Sequence, residues 1–321
     1  MARVSSGPRT AAAVDLGSTS VHLLVARIVD HRVEPQLDES SFLGLGEAVE
    51  GRGLLGAEGR ETLVDALTHY AWTAREAGAE SITFVATEPL RRLADAGRVA
   101  GEVVEGTGVP LHVLEHDEEA FLTLIGVTEG RPVEQEVLVV DIGGGSTELV
   151  AIGPDRPAQA AGIRVGASTL TSRLVHHDPP TPDELDALRG AVRGAFDAAP
   201  PARPTEIVAV GGTGSNLARI LAPDGSESNG RLERSRLAAA FRIVGGTPAD
   251  DVATAHGVRP ARVRILAAGA AILDAVAERY GVDRVRISER GIREGAVLAV
   301  SHAGPAWRDR LDQLAHGWVG D

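Results

Sequence analysis

The chain has 321 residues, enough for two domains of ordinary size, and 43% of them are apolar, which excludes a disordered protein. A net charge of −13 argues against general binding to nucleic acid, and the absence of cysteine excludes disulfides and thiolate chemistry. We find no secretory signal at the polar N-terminus and no apolar run near the length of about 18 residues that spans a bilayer, so we expect a cytoplasmic protein without a membrane partner.

All 32 basic residues are arginine. A P-loop requires a lysine that contacts the nucleotide phosphates, so this motif is excluded. Any phosphate bound by this chain must therefore be held by backbone N–H groups, hydroxyls, arginine or a metal ion.

The first half of the chain predicts a hairpin followed by alternating helices and strands. An apolar strand reaches Asp15, the turn Gly17-Ser18-Thr19-Ser20 follows, and a second apolar run covers 21–29. Strand, tight turn and returning strand are typical of a β-hairpin. The elements predicted after it are a helix over 58–77, a strand over 81–86, a helix over 89–105, a strand over 111–114 and a helix over 118–127.

The second half repeats this hairpin. "VVDIGGGSTELV", residues 139–150, has the same order of apolar strand, aspartate, glycine-rich turn and apolar strand, and Asp141 follows Asp15 by 141 − 15 = 126 residues. Alternating elements predict α/β domains, and the repeat predicts a duplicated domain with a cleft between the halves. The elements predicted after this hairpin are a helix over 181–197, a strand over 207–210, a helix opening at 211, a helix over 260–278, a strand over 285–287 and helices over 294–300 and 307–318.

Both turns combine glycine with hydroxyl residues, a pattern that favours phosphate binding. Successive backbone N–H groups form a positive concavity, and glycine lets a phosphate approach the main chain. A single such turn would be explained equally well as a sharp hairpin, but two favour an anion site. A dinucleotide fingerprint is excluded, since Glu148 stands where G-x-G-x-x-G needs its last glycine. Because Asp15 and Asp141 would repel a phosphate, we predict Mg²⁺ between carboxylate and phosphate.

Acidic and arginine residues supply further candidates. Glu115, Asp117, Glu118 and Glu119 precede or begin a helix, where acids are favoured by the helix dipole, and one of the four could be a general base. The residues alone leave open which one. "ATEPLRR", residues 86–92, places Arg91 and Arg92 at a strand-to-helix turn, where they are either solvated or clamp phosphates. The ten histidines form no pattern typical of a metal site.

These motifs resemble those of the exopolyphosphatase/guanosine pentaphosphate phosphatase (Ppx/GppA) family, within the actin-like, sugar-kinase and Hsp70 ATPase superfamily. The resemblance covers nearly the whole chain and is that of the short, two-domain form. It implies duplicated ribonuclease H-like domains of the actin type, with residues 1–125 and 300–321 in domain I and residues 126–299 in domain II. The motifs that carry it, in chain order, are "AVDLGSTSVHLLVA", "ATEPLRR", "DEEA", "VVDIGGGSTELV", "GGTGSNLA" and "RISERGIREGAVLAV".

The resemblance also implies roles for single residues. Glu119 is implied as the catalytic base, Arg91 as the clamping arginine, and Glu148 as an acid beside the attacking water or the metal. Asp141, Glu119 and Asp15 are predicted to hold Mg²⁺ or Mn²⁺. The predicted phosphate-binding residues are Asp15, Gly17, Ser18 and Thr19 in the first half, and Gly143, Gly144, Gly145, Ser146, Gly211 and Gly212 in the second.

We therefore predict an exopolyphosphatase that releases terminal orthophosphate from inorganic polyphosphate by in-line attack of water, and that forms a homodimer. Hydrolysis of the 5′ γ-phosphate of guanosine pentaphosphate (pppGpp) is the nearest alternative, with guanosine penta- or tetraphosphate as the partner. Polyphosphate would need a path of arginines, for which Arg164, Arg173, Arg290 and Arg293 are candidates. An ATP-dependent kinase, a filament-forming actin relative and a non-catalytic polyphosphate or alarmone sensor are the further alternatives.

Overall fold

A computed structural model describes residues 9–49, 53–221 and 230–319. The polar N-terminus, for which no signal sequence is predicted, lies at residues 1–8, outside the described residues. The strands are β1 (Arg9–Leu16), β2 (Ser20–Val29), β3 (Arg32–Phe42), β4 (Ser81–Ala86), β5 (Leu111–Val113), β6 (Val137–Ile142), β7 (Thr147–Gly153), β8 (Arg156–Ile163), β9 (Glu206–Val210), β10 (Arg231–Glu233) and β11 (Arg284–Ile287).

The helices lie between these strands and after the last of them, and two short 3₁₀ segments occur at Gly304–Ala306 and Arg308–Arg310. Among the described residues, none of the helices has the length and apolar character needed to cross a membrane. The helices are α1 (Leu45–Val49), α2 (Ala57–Glu76), α3 (Glu88–Arg91), α4 (Ala96–Thr107), α5 (His116–Thr128), α6 (Ala167–Leu174), α7 (Pro182–Val192), α8 (Gly212–Leu221), α9 (Arg234–Gly246), α10 (Ala249–His256), α11 (Pro260–Tyr280), α12 (Ile292–Ala303) and α13 (Leu311–Ala315).

The chain divides into two compact domains. The first contains the described residues up to Pro132 together with those from Arg290 onward, and the second runs from Val133 to Glu289. The first has a sheet of order β3-β2-β1-β4-β5, in which β1 is antiparallel to β2 and parallel to β4. The second has the order β10-β11-β9-β6-β7-β8, with β6 antiparallel to β7 and parallel to β9.

The two sheets share one topology. Read from the edge strand inward, β8-β7-β6-β9-β11 repeats β3-β2-β1-β4-β5, and β10 is added at the far edge of the second sheet. The central strand of each sheet carries the motif aspartate, and the turn after it joins that strand to an antiparallel neighbour. The predicted α/β class and the predicted duplication are therefore confirmed.

Both faces of the first sheet are covered because β1 is apolar on both sides. Ala12, Val14 and Leu16 belong to the core under α2, whereas Ala11 and Ala13 belong to the core that contains residues of α5 and α12. Side chains alternate along a strand. Asp15 therefore shares the face of Ala11 and Ala13, the face on which α5 and α12 pack.

The domain boundaries differ from the predicted ones at 125/126 and 299/300, because α12 packs on α5. Gly126 of α5 and Gly295 of α12 lie where the two helices cross. A Cβ atom on Gly126 would overlap the backbone of Gly291, and one on Gly295 would overlap that of Leu122. This crossing places all of α5 and α12 in the first domain.

Three predicted helices are interrupted or shorter than the sequence pattern indicates. The helix over 89–105 is interrupted between α3 and α4, because the N–H of Ala94 donates to the carbonyl of Gly53 at 2.9 Å instead of continuing the helix. The helix over 181–197 ends at Val192, since Arg193 is extended and Gly194 has a φ of 75°. The segment over 307–318 is a 3₁₀ turn followed by α13.

Candidate active site

The first-domain turn is fixed by bonds within its own hairpin and by a bond from the start of α1. Asp15 is the second-last residue of β1, opposite His22, rather than a residue after the strand. The N–H of Gly17 donates to the carbonyl of Ser20 at 3.1 Å. From outside, the N–H of Gly46 donates to the Ser18 carbonyl at 2.8 Å, which holds the turn in one position.

A buried glutamate orients the serine of this turn. The Ser18 hydroxyl donates to Oε2 of Glu88 at 3.0 Å, and Nη1 of Arg92 donates to Oε1 of the same carboxylate at 3.2 Å. The hydroxyl of Thr87, next to Glu88, donates to the carbonyl of Leu16 and joins the start of α3 to the end of β1. Sequence analysis missed Glu88, although it stands inside the quoted segment "ATEPLRR".

Arg91 is paired with Glu119 in this domain. Its Nη1 donates to Oε2 of Glu119 at 2.6 Å, and the two side chains are only 11% and 10% exposed. The same Nη1 donates to the carbonyl of Leu114 at 2.7 Å, and Nη2 lies 3.0 Å from Nδ1 of His116. A charge-assisted bond between buried groups fixes orientation as well as distance. Arg91 thus holds the predicted base and the turn that precedes its helix.

The start of α12 brings a buried cation close to Asp15. Nη1 of Arg293 donates to Asp38 at 2.6 Å. Burial opposes the charge of Arg293, but the bond to Asp38 and the charges of Glu294, Asp38 and Asp15 raise its pKa above the ordinary value. Two candidates for the polyphosphate path are thus ion-paired: Arg293 pairs with Asp38, and Arg290 pairs with Glu129.

Glu294, the next residue of α12, is a buried carboxyl. Its Oε2 accepts the N–H of Gly291 at 2.8 Å, which caps the start of the helix. Burial raises the pKa of this carboxyl above its ordinary value, and the positive charge of Arg293 offsets part of the effect.

The second-domain turn has the same internal bond as the first. The N–H of Gly143 donates to the carbonyl of Ser146 at 3.0 Å, as Gly17 does to Ser20. The carbonyls of Gly143 and Gly144 accept N–H groups from the first turn of α6 at 2.9 and 3.0 Å. A Cβ atom on Gly166, the residue before α6, would overlap the backbone of Gly144 and Gly145. Gly166 was not predicted as a site residue, because the helix that it precedes, α6, was not predicted either.

A serine donates to a buried glutamate in this domain also. The Ser146 hydroxyl donates to Oε1 of Glu148 at 2.8 Å, and both residues are buried. Asp141 is the second-last residue of β6 and pairs with Glu148 across the hairpin. Each domain thus presents a strand aspartate, a glycine turn and a serine oriented by a buried carboxylate.

The glycine pair Gly211-Gly212 lies beside Asp141 in the second domain. Gly211 has a φ of 85°, and a Cβ atom there would lie 3.0 Å from Oδ1 of Asp141. Glycine at this position therefore keeps one side of the carboxylate open. Arg262 lies beside Gly212, and its burial, together with the charge of Arg259, lowers its pKa. Sequence analysis missed Arg262 because no motif marks it.

The fold and these turns define a class of protein, the actin-like proteins built from duplicated ribonuclease H-like domains. Within that class, residues 24–303 match the Ppx/GppA phosphatase family, and the chain belongs to this family. The predicted resemblance is confirmed, and so is the predicted enzyme class, a hydrolase of phosphoanhydride bonds.

Individual relatives match over most of their length. The chain is 28% identical to exopolyphosphatase 2 of Mycobacterium tuberculosis over 316 residues, which cover 90% of this chain and 98% of the relative. The crystal structure of the Aquifex aeolicus member of the Ppx/GppA family matches with a TM-score of 0.78 at 25% identity, covering 91% of this chain and 97% of that one. A crystal structure of an exopolyphosphatase from Cytophaga hutchinsonii shares the fold, with a TM-score of 0.80 at 19% identity and coverage of 92% and 98%.

Proposed function

We propose that this protein is an exopolyphosphatase, which removes the terminal orthophosphate from inorganic polyphosphate. The observation that carries the proposal is the repetition of one glycine turn in both domains, each closed by the same N–H to carbonyl bond, Gly17 to Ser20 and Gly143 to Ser146. A duplicated phosphate turn suits a substrate that carries the same phosphoryl group many times. The relative named exopolyphosphatase supports the same substrate class.

In the proposed reaction, water attacks the terminal phosphorus in line with the bridging oxygen. The new bond joins the water oxygen to that phosphorus, and the bridging P–O bond breaks with its electrons on the shortened chain. Glu119 takes the proton of the water, and the hydrogen bond from Arg91 keeps its carboxylate in position for this. Phosphoryl transfer depends chiefly on positioning and charge compensation, which the turn N–H groups and arginines provide.

The residues also suit a hard divalent cation. Asp15 and Asp141 supply carboxylate oxygens, the ligands that Mg²⁺ and Mn²⁺ prefer, and Gly211 leaves space beside Asp141 that a side chain would fill. In the proposal, Asp141, Asp15 and Glu119 hold the ion, with Glu148 beside the metal or the water. A bound ion would neutralise charge on the phosphoryl oxygens.

Orthophosphate release from a series of polyphosphates and from pppGpp, each with Mg²⁺, tests the proposal. We expect kcat/KM to be higher on polyphosphate than on pppGpp. The reverse order would make the protein a pppGpp 5′-phosphohydrolase that uses the same site. Transfer of label from γ-labelled ATP to an acceptor would indicate a kinase, and tight binding without phosphate release would indicate a sensor.

We further propose that the protein acts in the cytoplasm as a homodimer. Sedimentation equilibrium of the purified chain tests the oligomeric state, and a monomer at micromolar concentration would contradict this part of the proposal.

A further inference from the structure

We propose that Arg308, in the segment that follows α12, is a positioning residue for the reaction, because it fixes the first turn of the helix that carries Glu119. This inference rests on the proposed function, in which Glu119 is the base. Arg308 is not proposed to touch the substrate. Its effect passes through Glu118, the residue next to Glu119.

Arg308 holds both oxygens of one carboxylate. Its Nε donates to Oε1 of Glu118 at 2.5 Å and its Nη2 donates to Oε2 at 2.6 Å. Nη2 also donates to the carbonyl of Val113, the last residue of β5, at 2.8 Å. A two-point arginine–carboxylate pair constrains direction as well as distance. One guanidinium therefore links the end of β5 to the first turn of α5.

The opposite end of the same short segment is held by Arg91. Arg91 donates to the carbonyl of Leu114 and to Glu119, while Glu118 accepts the N–H of Glu115, the residue that caps α5. The first turn of α5 thus lies between two arginines, one from α3 and one from the C-terminal segment. A displacement of about 1 Å in a catalytic group is enough to cost a large factor in rate, so loss of either clamp should reduce kcat.

The C-terminal segment has other anchors, so Arg308 can be removed without releasing it. Trp307 is 3% exposed and lies edge-on to His112 of β5, with ring centroids 5.3 Å apart. Leu311 and Leu314 of α13 are buried in the core that contains residues of α5 and α12. The Arg308 side chain is 36% exposed, and ion pairs of that exposure typically contribute about 1 kcal/mol or less to stability. The effect of Arg308 on the position of Glu119 can therefore be measured separately from its effect on the stability of the protein.

The test compares Arg308→Gln with Arg310→Gln, a matched change in the same segment. The hydrogen bond described for the Arg310 side chain stays within that segment, with Gln313 as the acceptor. With a polyphosphate of defined length, we expect Arg308→Gln to lower kcat about tenfold with KM within about twofold, as for a displaced catalytic group. The kcat of Arg308→Lys should lie between those of the wild type and Arg308→Gln, because a single ammonium cannot hold both carboxylate oxygens. Arg310→Gln should keep wild-type values.

A second readout is independent of the substrate. The N–H of Glu119 donates to the carbonyl of Glu115 at 3.0 Å, so its hydrogen exchange reports the first turn of α5. We expect exchange at Glu119 to accelerate at least about tenfold in Arg308→Gln and not in Arg310→Gln, since local opening becomes easier. Unchanged exchange and unchanged kcat in folded Arg308→Gln would overturn the inference. A wild-type chain that releases no phosphate would instead contradict the proposed function, and the exchange result would still decide whether Arg308 is a clamp.

Discussion

Glu119 is a buried carboxylate held by the guanidinium of Arg91, an arrangement suited to a base that must keep one orientation. We expect Glu119→Gln to lower kcat at least about 100-fold, because the amide keeps the shape of the side chain but cannot accept the proton of water. Steady-state phosphate release measures this effect. Far-UV circular dichroism and a melting curve show that the variant is folded.

The matched control for Glu119 is Glu61→Gln, an exposed glutamate of α2 in the same domain. This variant should keep wild-type kcat. A folded Glu119→Gln variant with near-normal kcat would remove Glu119 from the role of base.

Glu294 offers a prediction about pH. Burial raises its pKa above the ordinary 4.5, so the folded protein binds this proton more tightly than the unfolded chain. The contribution of Glu294 to stability is therefore complete below pH 4.5 and is lost as pH rises through the raised value. We expect the free energy of unfolding of the wild type, relative to Glu294→Gln, to fall over this window. Urea unfolding of both proteins at a series of pH values measures it.

Glutamine retains an oxygen that can accept the N–H of Gly291, so this substitution leaves the capping bond in place. Glu61→Gln serves as the exposed control for the substitution itself. A difference between wild type and Glu294→Gln that is constant with pH would contradict the assignment.

The site could be predicted from sequence where its residues are neighbours in the chain. Asp141, the glycines and Ser146 stand in one run, and the repeat of that run around Asp15 reveals the duplication. Glu88 could not be predicted as the partner of Ser18, because 70 residues separate them and only the parallel pairing of β1 with β4 brings them together. Arg262 has the same difficulty, since nothing near it in the sequence indicates contact with Gly212.

The crossing of α5 and α12 explains two glycines that have no catalytic reason, Gly126 and Gly295. At each of the two positions, backbone atoms across the crossing occupy the space that a Cβ atom would need, so only glycine fits. We expect Gly295→Ala to reduce the free energy of unfolding by about 3 kcal/mol or more, since the backbone of Leu122 cannot move away cheaply. Urea denaturation measures this change.

Gly101→Ala is the matched control within the same domain. Gly101 lies inside α4, and a Cβ atom there would meet no atom within 4 Å. Alanine should therefore stabilise the helix by up to about 1 kcal/mol. Equal effects of the two substitutions would contradict the close crossing.

Two of the elements that were not predicted from the sequence, β3 and α6, show no clear apolar period. β3 is an edge strand whose side chains are mostly exposed, so its sequence shows no buried face. α6 is only eight residues long, too short for a clear helical pattern, yet its first N–H groups fix the Gly143–Gly144 turn. The long helix α11 and the strand β4 were predicted closely, because both carry continuous apolar patterns.

At the scale of the whole molecule, a chain of net charge −13 is proposed to bind a polyanion. Local cations must therefore offset the repulsion, and three arginines near the first-domain turn are already ion-paired, Arg91 with Glu119, Arg92 with Glu88 and Arg293 with Asp38. We expect chelation of divalent ions to abolish phosphate release and added Mg²⁺ or Mn²⁺ to restore it. The melting temperature of the chelated protein is the control, which separates lost chemistry from unfolding. Full activity after chelation would contradict a role for the metal.

Product analysis in ¹⁸O-water shows whether water attacks the terminal phosphorus of polyphosphate. We expect one ¹⁸O atom in each orthophosphate released and unlabelled chains shortened one unit at a time. Label in the remaining chains, or fragments produced by internal cleavage, would contradict it.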